Sequence, residues 1–281
     1  MPAPQVLLAT FHALPGGEPG HPALDEELAR RGITSRWVTW DDPQVDWSGS
    51  ALVAVRSTWD YETRLADFLA WAEEVESAGP VLLNGAATFR WNTDKRYLVE
   101  LADHGVPTVP SVLVDDRDGV RAVVERYGRA VVKPRVAAGG RGLLVVDDAD
   151  AWAPPEPGPW LGQPVVESVH TEGEASVFVL DGRAVSQVRK VAPAGDVRVH
   201  EEYGGSSYLA DLDPEAAELA VSVMAASAEL VGADLCYGRV DLMTYDGRLV
   251  VSEVEVTEPG LYLDVLPGNA VPFADALEAR L

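Results

Sequence analysis

Asp241, Glu253 and Glu255 place three acidic side chains in strongly apolar surroundings near the end of the chain. Arg239-Val240-Asp241-Leu242-Met243 and Leu249 to Val256 read as strands, and Tyr245-Asp246-Gly247 between them has turn chemistry. In a strand, Glu253 and Glu255 share a face. A two-residue loop at Asp246-Gly247 would put Asp241 and Glu253 on opposite faces. A three-residue loop, ending with Gly247 in the left-handed conformation, would put all three on one face, with Arg239 across from Glu253. Carboxylates gathered in this way repel one another unless a cation neutralises them. An all-oxygen ligand set suits Mg²⁺, which also binds phosphate oxygens. The alternative is a solvent-facing acidic strand paired with Arg239.

Four other constellations are candidates for chemistry. Val131-Val132-Lys133-Pro134 delivers a lysine into the glycine-rich turn Ala137-Ala138-Gly139-Gly140-Arg141-Gly142, after which a strand returns over Leu143 to Val146. Glycines let backbone N–H groups approach phosphate oxygens, and the lysine adds a point charge. No GK[ST] opens a helix, so this is not a Walker loop. In Glu167 to Glu174 (ESVHTEGE) a strand ends and bends, offering backbone groups to a base and the Glu174 carboxylate to ribose hydroxyls. Lys190 and Arg198, in a stretch with Gly195, Gly204 and Gly205, could reach a terminal phosphate or an acyl phosphate. Arg56-Ser57-Thr58-Trp59-Asp60-Tyr61 follows an apolar strand, and strand ends in open α/β sheets point into ligand crevices. Arg56 could grip a substrate carboxylate bidentately, with Trp59 and Tyr61 as walls, or it could pair with Asp60 while the aromatics pack.

The elements that must position these residues follow from periodicity. Strands at Val6 to Thr10, Trp37 to Thr39, Leu52 to Val55 and Val81 to Leu83 alternate with helices at Pro22 to Arg31 and Thr63 to Ser77, which predicts a parallel sheet with covered faces. A helix over Asn92 to His104 is expected, capped by Asn92 and stopped by Gly105. Then the texture turns β-rich: Val112 to Val114, Val131 to Lys133, Leu143 to Val146, Val165 to Glu167 and Val177 to Leu180 read as strands, with one helix around Arg117 to Tyr127. The proline-rich segment Trp152 to Pro164 is expected to be a surface loop. Strands at Ala184 to Arg189, Arg239 to Met243 and Leu249 to Val256 surround a long helix, Pro214 to Val231, whose proline suits the first turn after Asp213. The expected plan is a Rossmann-like substrate domain (1–92), a β-rich lid domain (93–166) and a mixed α+β catalytic domain (167–281).

Composition narrows the function. The chain has 281 residues with a net charge of −23 and no Lys/Arg run to offset it, which argues against nucleic acid as a partner. No apolar run approaches the roughly 20 residues of a membrane helix, and Met1 to Thr10 lacks the features of a signal peptide. A cytoplasmic protein with no membrane partner is expected. The single cysteine, Cys236, in the apolar context Leu235-Cys236-Tyr237, is expected to be a small core residue, and the histidines show no zinc spacing.

Asp94-Lys95 at the linker helix, Lys133 with its glycine loop, Glu167, Glu174, Arg198, Arg239 with Asp241, and Glu253 with Glu255 occur in one order. Together they resemble the ATP-grasp superfamily along essentially the whole chain. Trp40 to Pro43, Arg56 to Tyr61, Asn84 to Thr88, Trp91 to Leu98, and Glu253 to Glu255 with Glu258-Pro259 bring the chain nearest to the glutathione-synthetase-like branch, and within it to the D-cycloserine-forming cyclo-ligases and their relatives.

The resemblance implies that Lys95 and Lys133 hold the α- and β-phosphates of ATP, that Gly139, Gly140 and Gly142 form a mobile lid, and that Glu167 and the Val169 backbone frame adenine while Glu174 binds ribose. It implies that Asp241, Glu253 and Glu255 ligate two Mg²⁺ ions, with Mn²⁺ as a possible substitute, and that Arg198 and Arg239 stabilise the transferring phosphoryl group. Arg56, Ser57, Thr58, Trp59, Asp60, Tyr61 and Glu258 would face the substrate. Many relatives have Asn where Glu255 stands, Val191 to Gly205 fits loosely, and the loop Phe11 to His21 has no placed counterpart and is expected to bear on the substrate. The implied activity is ATP-dependent ligation of a small carboxylate to an amine through an acyl phosphate. An intramolecular cyclo-ligase and a non-catalytic nucleotide-binding module are the alternatives. A homodimer is compatible with the resemblance.

Overall fold

The computed structural model describes residues 4–154 and 158–281. Parts of two expectations, the absent leader (at 1–3) and the surface loop (at 155–157), lie outside the described residues.

The first unit runs β1 (Val6–Thr10), α1 (Pro22–Arg30), β2 (Ser35–Thr39), β3 (Leu52–Ser57), α2 (Leu65–Ala78) and β4 (Val81–Leu82). Its sheet is parallel in the order β2-β1-β3-β4, as the strand–helix alternation predicts. β1 and β3 are buried along their whole length because helices cover both faces. α2 buries Phe68, Trp71, Ala72 and Val75 on one stripe and stops at the left-handed Gly79. Trp40, Trp47, Tyr61 and Phe89 complete an aromatic cluster around that stripe.

The expected single helix at 92–104 is two, α3 (Gly85–Asn92) and α4 (Tyr97–Asp103). Asn92 caps neither. Its buried amide donates to Val254 O (2.7 Å) and accepts from Val256 N (3.0 Å) and the Thr257 hydroxyl (3.1 Å), tying the linker to the far end of the chain. The break between the helices is what turns Asp94 and Lys95 toward the middle of the molecule.

The second sheet holds β5 (Val112–Val114), β6 (Ala130–Pro134), β7 (Leu144–Val146) and β8 (Trp160–Pro164) in the antiparallel order β5-β8-β6-β7, under α5 (Arg117–Tyr127). The expected loop at Trp152 to Pro164 is corrected here. Trp152 is buried, and Trp160–Pro164 is an interior strand. Gly162, which reads as a turn signal, is required by packing: a Cβ there would come within 2.8 Å of Val123 on α5. Pro164 is tolerated because it ends the strand.

The third sheet is antiparallel, β11-β10-β9-β12-β13, formed by β9 (Glu174–Leu180), β10 (Arg183–Val191), β11 (Ser206–Ala210), β12 (Tyr237–Tyr245) and β13 (Arg248–Glu255). α6 (Pro214–Val231) is capped by Asp213, whose carboxylate accepts from Ala216 N (3.0 Å), and buries Ala216, Ala220, Val223 and Met224. The last helix, α7 (Ala270–Glu278), returns to the first unit, where Phe273, Ala274 and Leu277 share a core with Leu24 and Leu28 of α1. Among the described residues no helix is long and apolar enough to cross a membrane.

Candidate active site

The hairpin β12–β13 resolves the question of register in a way that loop length alone does not. Tyr245 pairs with Arg248, so the loop is the two-residue Asp246-Gly247, both with positive φ (52° and 72°). Continued regularly, that register would put Asp241 opposite Ser252. Instead Leu242 pairs with Val251 while Asp241 pairs with Glu253, so Ser252 is an extra residue in a β-bulge. The bulge restores Asp241 and Glu253 to one face and sets Arg239 across from Glu255. Carboxylate oxygens of Asp241, Glu253 and Glu255 lie within 4.8 Å of one another. The Ser252 hydroxyl donates within a network linking the Asp241 carbonyl and Glu174 (both 3.0 Å).

Cations surround this cluster. Arg239 donates bidentately to Asp241 (2.9 Å twice) and pairs with Glu255. Lys190, 2% exposed, bridges Glu174 (2.6 Å) and Asp241 (3.1 Å), and Lys95 meets Glu253 at 2.8 Å. Burial opposes ionisation of Asp241, but Arg239 and Lys190 outweigh it and hold that carboxyl well below the usual range. Burial is likewise overcome at Glu253 by Lys95 and Lys133. At Glu255 burial, reinforced by Asp241 and Glu253, wins and pushes the carboxyl up. Glu258 is pushed up to about 8 by burial and by Glu255. The Lys133 ammonium, its pKa lowered chiefly by burial, has no hydrogen-bond or ion-pair partner among the described residues, while its backbone is paired in the β6–β8 ladder.

Two clefts meet at this cluster. The first, about 870 Å³ including its mouth, lies between the second and third sheets and is lined by Lys95, Lys133, Gly140, Glu174, Arg198, Asp241 and Glu253. Its inner wall is apolar, with Val109, Val131, Val166, Val169 and Met243. The second cleft, about 1160 Å³, is lined by Trp59, Gly139, Arg239, Glu255 and Glu258 among others. Arg141 and His200 line both. The glycine-rich loop between β6 and β7 therefore has Gly140 on one cleft and Gly139 on the other. Gly139, Gly140 and Gly142 all have positive φ (61°, 69°, 72°). A Cβ at Gly140 would lie 3.0 Å from His200 Nδ1 and 3.3 Å from Arg198 Cδ, so the glycine-rich loop rests on the 198–200 segment. Arg198 is itself folded onto Asp196 and stacked 3.6 Å over Tyr203.

Several expected residues stand elsewhere. The Glu167 side chain is 69% exposed and faces Arg129 at 3.7 Å, outside both clefts, because Glu167–His170 is a 3₁₀ turn rather than a strand end; only Val169 of that turn reaches the apolar wall. Arg56 is fully buried. It donates to Glu18 (2.9 and 3.2 Å) and Pro259 O (2.6 Å) and lies over the Phe273 ring at 4.6 Å. Its guanidinium is thus spent on holding the Phe11–His21 loop and the C-terminal segment together, and it pairs with Glu18, not Asp60. Ser57 bonds Thr10 (2.8 Å), Asp60 accepts from the Trp40 indole (2.9 Å), and Tyr61 is in the aromatic core. Thr58 is buried. Of that hexapeptide only Trp59 lines a cleft, with its indole N–H on Glu258 O (3.1 Å).

The sequence reading passed over Glu18, Ser176 and Ser252. Ser176 donates to Asp241 (2.7 Å) from β9. The alternation of Ser176 with Glu174 on a buried strand was the one available signal. Cys236 is buried, its thiol pushed up to about 12 by burial, as a core residue should be.

Comparison with known proteins identifies the family. Residues 6–84 match the family "D-cycloserine synthetase DcsG, N-terminal domain", and residues 100–266 match "Prokaryotic glutathione synthetase, ATP-grasp domain". The cycloserine biosynthesis protein DcsG of Streptomyces lavendulae is 33% identical, covering 92% of this chain and 93% of that protein. A glutathione synthetase of Prochlorococcus marinus (strain MIT 9313) is 28% identical over 74% of this chain and 67% of its own. The crystal structure of D-cycloserine synthetase DcsG superposes with a TM-score of 0.83 at 31% identity, covering 98% of this chain and 100% of that one. The D-alanine–D-alanine ligase of Bacillus anthracis shares the fold with a TM-score of 0.66 at 14% identity, covering 99% and 97%. The chain therefore belongs to the ATP-grasp ligases, ATP-binding enzymes that form carbon–nitrogen bonds, with an ATP-grasp domain of the prokaryotic glutathione synthetase type joined to the N-terminal domain of the D-cycloserine synthetases.

Proposed function

We propose that this enzyme binds ATP in the first cleft, phosphorylates the carboxylate of a small amino-acid-like substrate held in the second, and passes the acyl group to an amine, releasing ADP and phosphate. The observation that carries the reading is the meeting of the two clefts at Asp241, Glu253 and Glu255, with Lys95 and Lys133 on the same cavity. Adenine would lie on the apolar wall near the Val169 backbone, the ribose near Glu174, and the α- and β-phosphates on Lys95 and Lys133. Among the described residues the Lys133 ammonium feels the charge of Glu253 but has no hydrogen-bond or ion-pair partner, which suits a phosphate ligand. Trp59 and Glu258 would face the substrate, and Arg239 and Arg198 would face the transferring phosphoryl group, Arg198 after leaving Asp196.

ATP-grasp enzymes generally use Mg²⁺ with ATP. The donor set fits it: three buried or half-buried carboxylates crowd together, and Glu255 is driven toward its neutral form by burial and by Asp241 and Glu253, a cost that a divalent cation would remove. Bound there, Mg²⁺ would screen phosphate charge; two ions, with Mn²⁺ as substitute, remain part of the proposal. Asp241, Glu253 and Glu255 would hold it, while Arg239, Lys190 and Lys95 fix their orientation. Positioning and charge stabilisation supply most of the catalysis in such a phosphoryl transfer.

The division into 1–92, 93–166 and 167–281, each built on one of the three sheets, and a cytoplasmic enzyme, compatible with a homodimer and without nucleic-acid or membrane partners, belong to the same proposal. Likeness to DcsG along nearly the whole chain favours the intramolecular version, in which acid and amine belong to one molecule, over ligation of two separate substrates. A phosphate-release screen of amino acids and their derivatives with Mg-ATP, singly and in pairs, separates the two. A single compound that triggers release and cyclises supports the cyclo-ligase; release that requires a pair supports intermolecular ligation. ATP binding without turnover on any substrate would leave only a nucleotide-binding module.

A further inference from the structure

The glycine-rich loop is fastened to the first unit as well as to its own hairpin, and one carboxylate makes most of the attachment. Glu62 sits in the 3₁₀ turn Tyr61–Arg64 between β3 and α2, with its side chain only 10% exposed. It accepts a hydrogen bond from the Ala138 backbone N–H and pairs with the Arg141 guanidinium. The same guanidinium donates to the carbonyl of Trp59 (3.1 Å), a wall of the second cleft. Val136 and Ala138 pack on the aromatic cluster of the first unit. On the other side of the same peptide group, Lys95 Nζ donates to Ala137 O (2.7 Å), so the start of the loop is held from both sides. Between the Ala138 and Arg141 anchors the left-handed Gly139 and Gly140, and after them Gly142, leave the loop little rigidity of its own. Arg141, the residue Glu62 grips, lines both clefts.

We propose that Glu62 is a positioning residue that latches the glycine-rich loop shut across the junction of the two clefts, so that closure over ATP depends on the unit that holds the substrate. The inference rests on the ligase reading above. With the latch intact, water is kept from the acyl phosphate until the amine attacks. With it broken, water adds to the acyl carbon, phosphate leaves, the free carboxylate is regenerated, and the net reaction is ATP plus water to ADP plus phosphate.

The first test needs no substrate. Native wild type, Glu62→Ala and Glu62→Asp are treated with trypsin, and the rate of cleavage after Arg141 is read from fragments 1–141 and 142–281. Loss of a charge-assisted pair should raise that rate by roughly tenfold in Glu62→Ala, with Glu62→Asp between. Equal rates in folded wild type and Glu62→Ala overturn the latch. The second test measures phosphate released per amide formed on a substrate that the wild type accepts. Glu62→Ala should raise this ratio severalfold, Glu62→Asp should restore part of the coupling, and Mg-ATP affinity should change by less than the ratio does. A fall in rate at an unchanged ratio overturns the latch. Should Glu62→Ala fail to fold, Glu62→Gln, which keeps the shape and loses the charge, takes its place in both tests. If the wild type releases no phosphate with any compound, the ligase reading fails, and the trypsin comparison still decides whether Glu62 holds the loop.

Discussion

Glu18→Ala separates a structural Arg56 from a substrate-binding one. Arg56 is fully buried, and among the described residues Glu18 is its only carboxylate partner. Glu18 also accepts the Leu261 N–H at 2.7 Å. Removing one partner of a buried ion pair costs about 3–5 kcal/mol, since the remaining charge is stranded. Arg56 keeps Pro259 O and the Phe273 ring, which places the loss near the lower end of that range. At roughly 2–4 °C per kcal/mol for a chain of this size, a loss of about 3 kcal/mol lowers the melting temperature by about 6–12 °C. Circular dichroism melts of the wild type, Glu18→Ala and the double variant Glu18→Gln/Arg56→Met measure it. The double variant, which removes both charges, should recover much of the loss. If Glu18→Ala melts within about 1 °C of wild type while Arg56→Met alone raises the substrate KM by orders of magnitude, Arg56 is a substrate ligand and the structural reasoning is wrong.

Asp241→Asn should lower turnover by about 10³-fold or more, as loss of a charge-positioning group in a phosphoryl-transfer site does; retention of full activity would falsify the metal assignment. Glu258 gives a pH signature in metal-free buffer. Its carboxyl is raised to about 8 in the folded protein, so the native state keeps a proton that the unfolded chain gives up near pH 4. Stability from this group is fully present below about pH 4 and is lost as pH rises through about 8. Glu258→Gln should therefore match wild type in urea unfolding near pH 4 and exceed it by roughly 5 kcal/mol at pH 9; a difference independent of pH rules this out.

The parallel sheet was legible because β1 and β3 are apolar along their length and α2 carries a clean stripe, signals that local periodicity contains. The Asp213 cap and the long helix after it were legible for the same reason. What escaped depended on distant partners. Asn92 has the type of a helix cap, but its amide is occupied by β13 and the residues after it. Gly162 and Pro164 look like loop residues until α5 is seen pressing on Gly162. In the site, the acidic cluster followed from residue types, but its register did not, because a bulge at Ser252 offsets what the two-residue loop would impose. Arg56 after an apolar strand looks the same whether it grips a ligand or a buried glutamate 38 residues upstream, and Glu18 lies in a Pro/Gly-rich loop that offers no periodicity to read.

The meeting of Lys133 with the carboxylate cluster on one triphosphate is tested most directly by equilibrium binding of a fluorescent ATP analogue, with and without Mg²⁺. Lys133→Met should weaken binding about tenfold or more in the presence of Mg²⁺, and Glu253→Gln should remove most of the gain that Mg²⁺ gives the wild type. Wild-type affinity and wild-type Mg²⁺ dependence in both variants would mean that these groups do not enclose the nucleotide together.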